Sequence, residues 1–161
     1  MAQVTTSNVE ARVQELGHTV PSPPKPAANY VPWTRSGNTV YIAGQIPTLG
    51  GELQGQGHVG AEVDVAEAQR LAGICALNGI ANLKAAAEAS GKTLDDLRVV
   101  RASVFVAVAP GFTDIHVVAN GASDLFGKVF GKNGVHARSA VGVAELPLGV
   151  PVEVELIAEF V

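Results

Sequence analysis

The chain has 161 residues, of which 47% are hydrophobic and 16% are charged, and its formal net charge is −4 at pH 7. This length fits one domain with a buried core. The acidic balance and the absence of any run of Lys and Arg argue against the basic surface by which proteins bind nucleic acids. The low charged fraction also indicates that part of the apolar surface faces another subunit.

Cysteine, histidine and hydropathy patterns narrow the class of protein further. Cys75 is the only cysteine, so neither a disulfide within the chain nor a cysteine-based zinc cluster can form, which fits a reducing compartment. The four histidines lack the spacing of a metal motif. Residues 1–17 lack the features of a secretory signal, and no apolar stretch reaches the roughly 18 residues of a membrane span. We therefore expect a cytoplasmic protein with no membrane association and no metal.

Helices and strands are predicted to alternate in the order α, β, β, α, β, α, β, β. Ser7 and Asp64 each precede a Glu by three residues, the spacing of a capping box at a helix start. Gly17 and Gly91 are suited to helix ends. The predicted elements are a helix over 8–16, an extended Pro-rich connector over 21–29, strands over 30–35 and 39–43, a long flexible Gly-rich loop over 48–63, a helix from Asp64 to Gly91, a strand over 97–109, a helix capped by Thr113 and ending near 130, and two strands within 136–160.

The two closing strands, SAVGVAEL and VPVEVELIAEF, alternate apolar and polar residues and flank a turn rich in Pro and Gly. They are predicted to pair as a hairpin. With hairpins at both ends, the sheet should be mainly antiparallel, with the helices on one face. The second face looks apolar, and another copy of the chain is the simplest cover for it. The fold class expected from the pattern is α+β, in an oligomer.

Arg138 and Glu153 are charged residues inside these otherwise apolar strands. A guanidinium is always ionised and needs a partner. Arg138 could form a salt bridge to Glu145, Glu153 or Glu155, or it could bind a carboxylate of a ligand through its planar fork. Glu153 and Glu155 lie on one strand face, where their mutual repulsion raises one pKa and suits proton transfer. The alternative is that they form the solvated face of an edge strand.

Several segments together resemble the RidA/YjgF family of enamine/imine deaminases. They are GNTVYIAGQIP (37–47), ANLKAAAEASGKTLDDL (81–97), VVRASVFVAV (99–108) and ARSAVGVAELPLGVPVEVELIA (137–158). The resemblance covers residues 26–161 as a single domain and leaves the helix and connector of residues 1–25 outside it.

The resemblance implies a chorismate-mutase-like, or YjgF-like, α+β fold and a homotrimer with ligand clefts at the subunit interfaces. It also implies hydrolysis of reactive 2-imino and enamine acids, such as 2-aminoacrylate, 2-iminopropanoate and 2-iminobutanoate. The products would be 2-oxo acids and ammonia, and no cofactor or metal would take part.

Five positions match functional residues of that family. The resemblance implies that Arg138 clamps the substrate carboxylate and that Glu153 orients or activates the attacking water. Tyr30 corresponds to a tyrosine of the cleft. Gly44 corresponds to a glycine whose backbone amide helps to hold the carboxylate, and Asn120 to a helix asparagine near the site.

Two departures keep other functions open. Close family members carry a serine where this chain has Ala43 and a cysteine where it has Ala140, so two polar groups of the cleft are missing. The alternative function is a non-catalytic trimer that binds a small carboxylate as a regulatory protein. Endoribonuclease activity, for which some relatives are named, is disfavoured by the net charge of −4.

Overall fold

The computed structural model describes residues 6–23 and 29–161. The boundary expected between residues 25 and 26, and most of the expected connector, lie outside these ranges. The helices of the described part are α1 (Asn8–Glu15), α2 (Val65–Ala89) and α3 (Ile115–Phe130). Its strands are β1 (Trp33–Ser36), β2 (Thr39–Gln45), β3 (Thr48–Leu49), β4 (Glu52–Leu53), β5 (Leu97–Ala107), β6 (Ala137–Val143) and β7 (Val152–Phe160).

Five strands form the main sheet in the order β1-β2-β7-β5-β6. All neighbours are antiparallel except β5 and β6, which confirms the prediction of a mainly antiparallel sheet. The predicted closing hairpin is wrong, because β5 lies between β6 and β7. The physical reason is the crossover through α3: it returns the chain to the edge of β5 as a parallel strand, and β7 then fills the space between β2 and β5.

The helices cover one face of this sheet, as predicted for an α+β fold. Alternate residues of β7 are buried there: Val152, Val154, Leu156, Ala158 and Phe160. α2 contacts β7 and β2, while α3 contacts α2, β5 and β6. Gly79 lets α2 approach the sheet closely, because a Cβ at this position would come within 2.6 Å of Leu156 Cδ1. The core therefore lies between one sheet face and two helices.

The opposite sheet face carries apolar and charged side chains together. Tyr41 and Val141 are each 45% exposed on it, and the register places the exposed side chains of Arg101 and Glu155 on the same face. The expectation of an apolar second face is thus wrong in part, because β5 and β7 alternate core residues with charged ones. We refer to this surface as the open face.

α1 packs on the domain and contributes to its core. Ser7 accepts a hydrogen bond from the Glu10 backbone N–H at 3.2 Å, and Glu10 accepts one from Ser7 N–H at 3.0 Å, which confirms the predicted capping box. The Asp95 carboxylate accepts a further bond from Val9 N–H at 3.0 Å. Val9 and Val13 are buried, so α1 is held by both polar and apolar contacts.

α2 and α3 begin slightly differently from the prediction. Asp64 caps α2 by accepting a bond from Glu67 N–H at 2.8 Å. The Glu67 side chain pairs with Arg70 instead of the cap backbone, so only half of the second capping box forms. The residue before α3 is Asp114, not Thr113, and its side chain makes no capping bond. Within the ranges that the structure describes, no helix combines the length and the apolar character needed to cross a membrane.

The glycine-rich stretch before α2 is more structured than the predicted flexible loop. β3 and β4 form a short hairpin around Gly50 and Gly51, both with positive φ (60° and 87°), a conformation that glycine adopts without steric cost. Farther along, Gly57 N–H donates to Gly149 O and Val59 N–H donates to Ala107 O, both at 2.9 Å. These bonds tie the stretch to the end of β5 and to the turn before β7.

Candidate functional site

Arg138 lies on β6, at the edge of the main sheet, and reaches over α3. Its Nη1 donates to Asn120 Oδ1 at 2.9 Å and to Ser123 Oγ at 3.2 Å. Its Nη2 donates to the backbone oxygen of His116 at 3.2 Å. The structure thus brings Arg138 and Asn120 into direct contact, and all three acceptors belong to one helix.

The Arg138 side chain is exposed and keeps hydrogen-bonding capacity. A guanidinium has five N–H donors, and three hydrogen bonds use at most three of them. In residues 6–23 and 29–161, no Asp or Glu side chain forms an ion pair with Arg138. The alternative of a salt bridge within the chain to Glu145, Glu153 or Glu155 is therefore wrong. A charged fork with free donors is suited to an anionic ligand.

A serine and a histidine that were not among the predicted site residues adjoin Arg138. Ser123 Oγ lies 3.0 Å from His136 Nε2, and His136 Nδ1 lies 2.6 Å from Gly134 O. Ser123, His136 and Arg138 line one cavity of about 310 Å³. A signal was available: Ser123 follows Asn120 by three residues on a helix, and His136 precedes Arg138 by two in extended chain, so each pair shares a side. We call Arg138, Asn120, Ser123 and His136 the arginine cluster.

Glu153 lies on β7 and is half-buried on the open face. Burial raises the pKa of its carboxyl group, and the negative charge of Glu155 raises that pKa further. Gly44 sits in an irregularity of the β2–β7 pairing between Ile42 and Gln45. A Cβ at Gly44 would overlap the Glu153 carboxylate, so a glycine is needed for the two to lie this close.

A buried amide network fixes the turn that follows Gly44. Gln45 Oε1 accepts from Asn82 Nδ2 at 3.0 Å. Asn78 Nδ2 donates to the backbone oxygens of Ile46 and Thr48 at 3.1 and 2.9 Å. Asn78 and Asn82 are four residues apart in the buried part of α2, a spacing that places both on one side of the helix. That spacing was the available sequence signal for this network.

Tyr30 shares a cavity with Gly44. It precedes β1, rather than lying in it as predicted, and its side chain is 48% exposed. The cavity has a volume of about 720 Å³ and is also lined by Pro21 and Leu148. We call Gly44 and Glu153 the glutamate cluster, and Tyr30 adjoins Gly44 in this cavity.

The two clusters lie on opposite faces of the sheet. Arg138 is in register with Ala102, which is buried beneath the helices, whereas Glu153 is in register with Phe105 on the open face. Paired residues of neighbouring strands project to the same side. One chain therefore brings Arg138 and Asn120 together, and Gly44 and Glu153 together, but does not join Arg138 to Glu153.

Cys75 occupies the core rather than either cluster. Its thiol is fully buried and lies 3.6 Å from Val152 O. Burial raises the pKa of this thiol well above its ordinary value, so it is a poor nucleophile. Among the residues described, His, Cys, Asp and Glu side chains form no group of three that could hold a metal ion.

Comparison with known proteins shows the family. The model of the family described as endoribonuclease L-PSP matches residues 20–160. Protein TCP17 of Trypanosoma cruzi is 43% identical over 166 residues, which cover 99% of this chain and 98% of that protein. A 2-iminobutanoate/2-iminopropanoate deaminase of Dermatophagoides farinae is 34% identical over 137 residues, 85% of this chain and 90% of that protein.

Solved structures agree with this match. The crystal structure of Atu1372 from Agrobacterium tumefaciens, a protein of unknown function, superposes with a TM-score of 0.87 at 46% identity. The superposition covers 96% of this chain and 93% of that one. The chain, with its α+β fold and its match over residues 20–160, belongs to the endoribonuclease L-PSP family, which is the RidA/YjgF family.

Proposed function

We propose that the protein is a deaminase that hydrolyses reactive 2-imino and enamine acids to 2-oxo acids and ammonia. Its substrates would be of the 2-aminoacrylate, 2-iminopropanoate and 2-iminobutanoate type. The observation that carries the proposal is the exposed Arg138 guanidinium, which keeps free donors and forms no ion pair with an acidic residue of the described ranges. All these substrates carry a carboxylate that fits the guanidinium fork. The relative that is named as a deaminase supports this choice of substrate class.

Glu153 is the proposed base for the attacking water. The carbon of an imine is already electrophilic, so the protein mainly has to orient the substrate and deliver water to it. A carboxyl group with a raised pKa accepts a proton more readily near neutral pH than an ordinary one. Gly44 and Tyr30 would line the binding cleft beside it.

The opposite placement of the clusters supports a site shared between copies. A small 2-imino acid cannot contact Arg138 and Glu153 of one chain, because the sheet separates them. The arginine cluster of one subunit would instead complete the glutamate cluster of its neighbour. We propose a homotrimer, the assembly that the family resemblance implies, with three such clefts and no bound cofactor.

A second candidate function is non-catalytic binding of a small carboxylate, as a regulatory protein. One observation favours it: Ala43 and Ala140 lack the polar groups that the resemblance implies for close family members. This candidate uses the same Arg138 fork but needs no base. It therefore predicts 2-oxo acid binding without any effect on imine hydrolysis.

The experiment that tests the proposal follows the loss of 2-aminoacrylate produced in situ by a PLP-dependent dehydratase. The protein should accelerate pyruvate formation and lower the amount of imine trapped by semicarbazide. No acceleration, together with calorimetric binding of pyruvate or 2-oxobutanoate, would contradict the deaminase and support the binding protein.

Substitution of Arg138 is the decisive variant in this assay. R138A should lower kcat/KM by at least about 100-fold, the size expected when one partner of a charged hydrogen-bonded pair is removed. R138K should recover only part of it, since an ammonium lacks the planar fork. The matched control is R70A, at an exposed arginine of α2 that pairs with Glu67. Full activity in R138A, with the oligomer unchanged by light scattering, would exclude the clamp role.

A further inference from the structure

A chain of hydrogen bonds links the backbone before β6 to the Arg138 guanidinium. It runs from Gly134 O through His136 and Ser123 Oγ to Arg138 Nη1, with separations of 2.6, 3.0 and 3.2 Å. A carbonyl oxygen only accepts, so His136 Nδ1 carries a proton in every charge state. The variable proton of the ring is therefore the one on Nε2, which faces Ser123.

The histidine ring is held in this position from two sides. Phe126 of α3 contacts it edge-on, with ring centroids 5.6 Å apart and an interplanar angle of 85°. The Gly134 carbonyl belongs to the 3₁₀ turn Gly131–Gly134, which directly precedes β6. Rigid placement of this kind keeps Nε2 aimed at the serine hydroxyl.

The charge state of the ring decides which way the Ser123 hydroxyl points. When Nε2 is unprotonated, it accepts the Ser123 O–H, and Ser123 Oγ accepts from Arg138. When Nε2 is protonated, it donates to Ser123 Oγ, and the hydroxyl proton is released toward the cavity that Ser123, His136 and Arg138 line. A carboxylate bound to Arg138 brings the 2-imino nitrogen within reach of that hydroxyl, because the two groups are on adjacent carbons.

We propose that Ser123 and His136 form a proton relay that protonates the departing nitrogen of the substrate. The inference rests on the proposed deaminase function. Water adds to the imine carbon and its proton passes through Glu153 to the imine nitrogen, which gives a neutral carbinolamine. The amine nitrogen then takes the Ser123 hydroxyl proton, and Ser123 takes the proton of His136 Nε2. The C–N bond breaks with its electron pair on nitrogen, and ammonia leaves as the hydroxyl oxygen passes its proton to Glu153 and becomes the carbonyl. Glu153 releases that proton to solvent and solvent returns one to His136, so imino acid and water give oxo acid and ammonia.

Charged groups on the elements near His136 line other cavities or lie on the open face. On α3, Asp124 and Lys128 line a different cavity. Lys132 of the preceding turn lines a third one. Arg101 of β5 bonds Ser139 on the open face at 2.8 Å. Arg138 is the charged side chain that lines the same cavity as His136, so a ligand bound to that guanidinium lies next to the relay.

The test is the pH profile of steady-state imine hydrolysis for wild-type protein, H136Q and S123A. The relay works only when His136 is protonated, so wild-type kcat should fall on the alkaline side. H136Q and S123A should each lower kcat by about 10- to 100-fold, a modest loss for general acid catalysis, and should lack the alkaline fall. KM and the Kd for 2-oxobutanoate should change less than about threefold, since Arg138 remains. The control is H18Q, at an exposed histidine that lines another cavity.

The outcomes separate the relay from the deaminase proposal. If wild-type protein does not accelerate imine loss, the proposed function is wrong and the relay is wrong with it. If wild-type protein is active and H136Q keeps both its kcat and its alkaline fall, only the relay is overturned. Should H136Q fail to bind 2-oxobutanoate because it misfolds, S123A decides alone: a kcat loss without the alkaline fall supports the relay, and unchanged kinetics overturn it.

Discussion

The arginine and glutamate clusters hold charge in different ways on the two faces of one sheet. Arg138 is exposed at a sheet edge, and its neighbours Asn120 and Ser123 are neutral, so its permanent charge is solvated at little cost. Glu153 is half-buried against Gly44, and burial together with Glu155 raises its pKa. The proposed function uses this difference as a division of work, in which the exposed cation would bind the substrate and the half-buried carboxyl group would transfer protons.

Substitution of Glu153 tests the separate roles of the two clusters most directly. E153Q keeps the shape of the side chain but removes its basicity, so kcat for imine hydrolysis should fall by about 100-fold or more. The Kd for 2-oxobutanoate should stay within about twofold, because Arg138 supplies the binding charge. Parallel assays of kcat and calorimetric Kd check this. Equal losses in both quantities would show that the two clusters do not divide binding from chemistry.

Breaking the buried amide network that follows Gly44 should have a smaller effect, which is a loss of stability. N82A removes the donor to Gln45 Oε1, which is buried. An unsatisfied buried acceptor costs about 1–3 kcal/mol, and the unfolding free energy in urea should drop by that amount. The control is N120A, an amide of the arginine cluster that is only half-buried and should cost less. If N82A loses less unfolding free energy than N120A, the hydrogen bond to Gln45 does not stabilise the protein as predicted.

Substitution of Glu155 should shift the pH dependence of kcat, and this effect should be smaller than those of E153Q and N82A. E155Q removes the negative charge that helps to raise the pKa of Glu153, so the acid side of the kcat profile should move to lower pH while the maximal rate changes little. An unmoved profile would show that Glu155 does not face Glu153 in the active assembly.

The same raised pKa has a consequence for stability. A carboxyl group that holds its proton more tightly in the folded state contributes stability below its unfolded pKa and loses that contribution as the pH rises through the folded pKa. As the pH rises through the folded-state pKa of Glu153, the unfolding free energy of the wild-type protein should therefore fall relative to that of E153Q. Urea titrations of both proteins across the acid range measure the difference, and parallel curves would contradict the burial of this carboxyl group.

Local sequence signals predicted the helices and strands better than they predicted which strands pair. The capping box at Ser7, the Asp64 cap and the turn before Thr39 act within a few residues, and the structure confirms a helix or strand at each. The pairing of β6 with β7 was predicted from their adjacency in sequence. It failed because α3 carries the chain across the sheet edge, a long-range effect that apolar alternation does not encode.

The candidate site was predictable only through its two most distinctive charged residues. An arginine and a glutamate in apolar strands stand out, and the family resemblance added Tyr30, Gly44 and Asn120. Ser123 and His136 are common residue types, and their contact depends on how α3 is rotated against β6. Gln45 and Asn82 are 37 positions apart, so nothing local predicts that they meet.

The position of β7 bears on how the protein is made. This strand is the latest of the described strands in the chain, yet it occupies the centre of the sheet, between β2 and β5. Until residues 152–160 have left the ribosome, the β1–β2 hairpin and the β5–α3–β6 unit have no strand to join them. The nascent chain therefore cannot complete the sheet, or the sheet face that covers α2, before residues 152–160 have emerged.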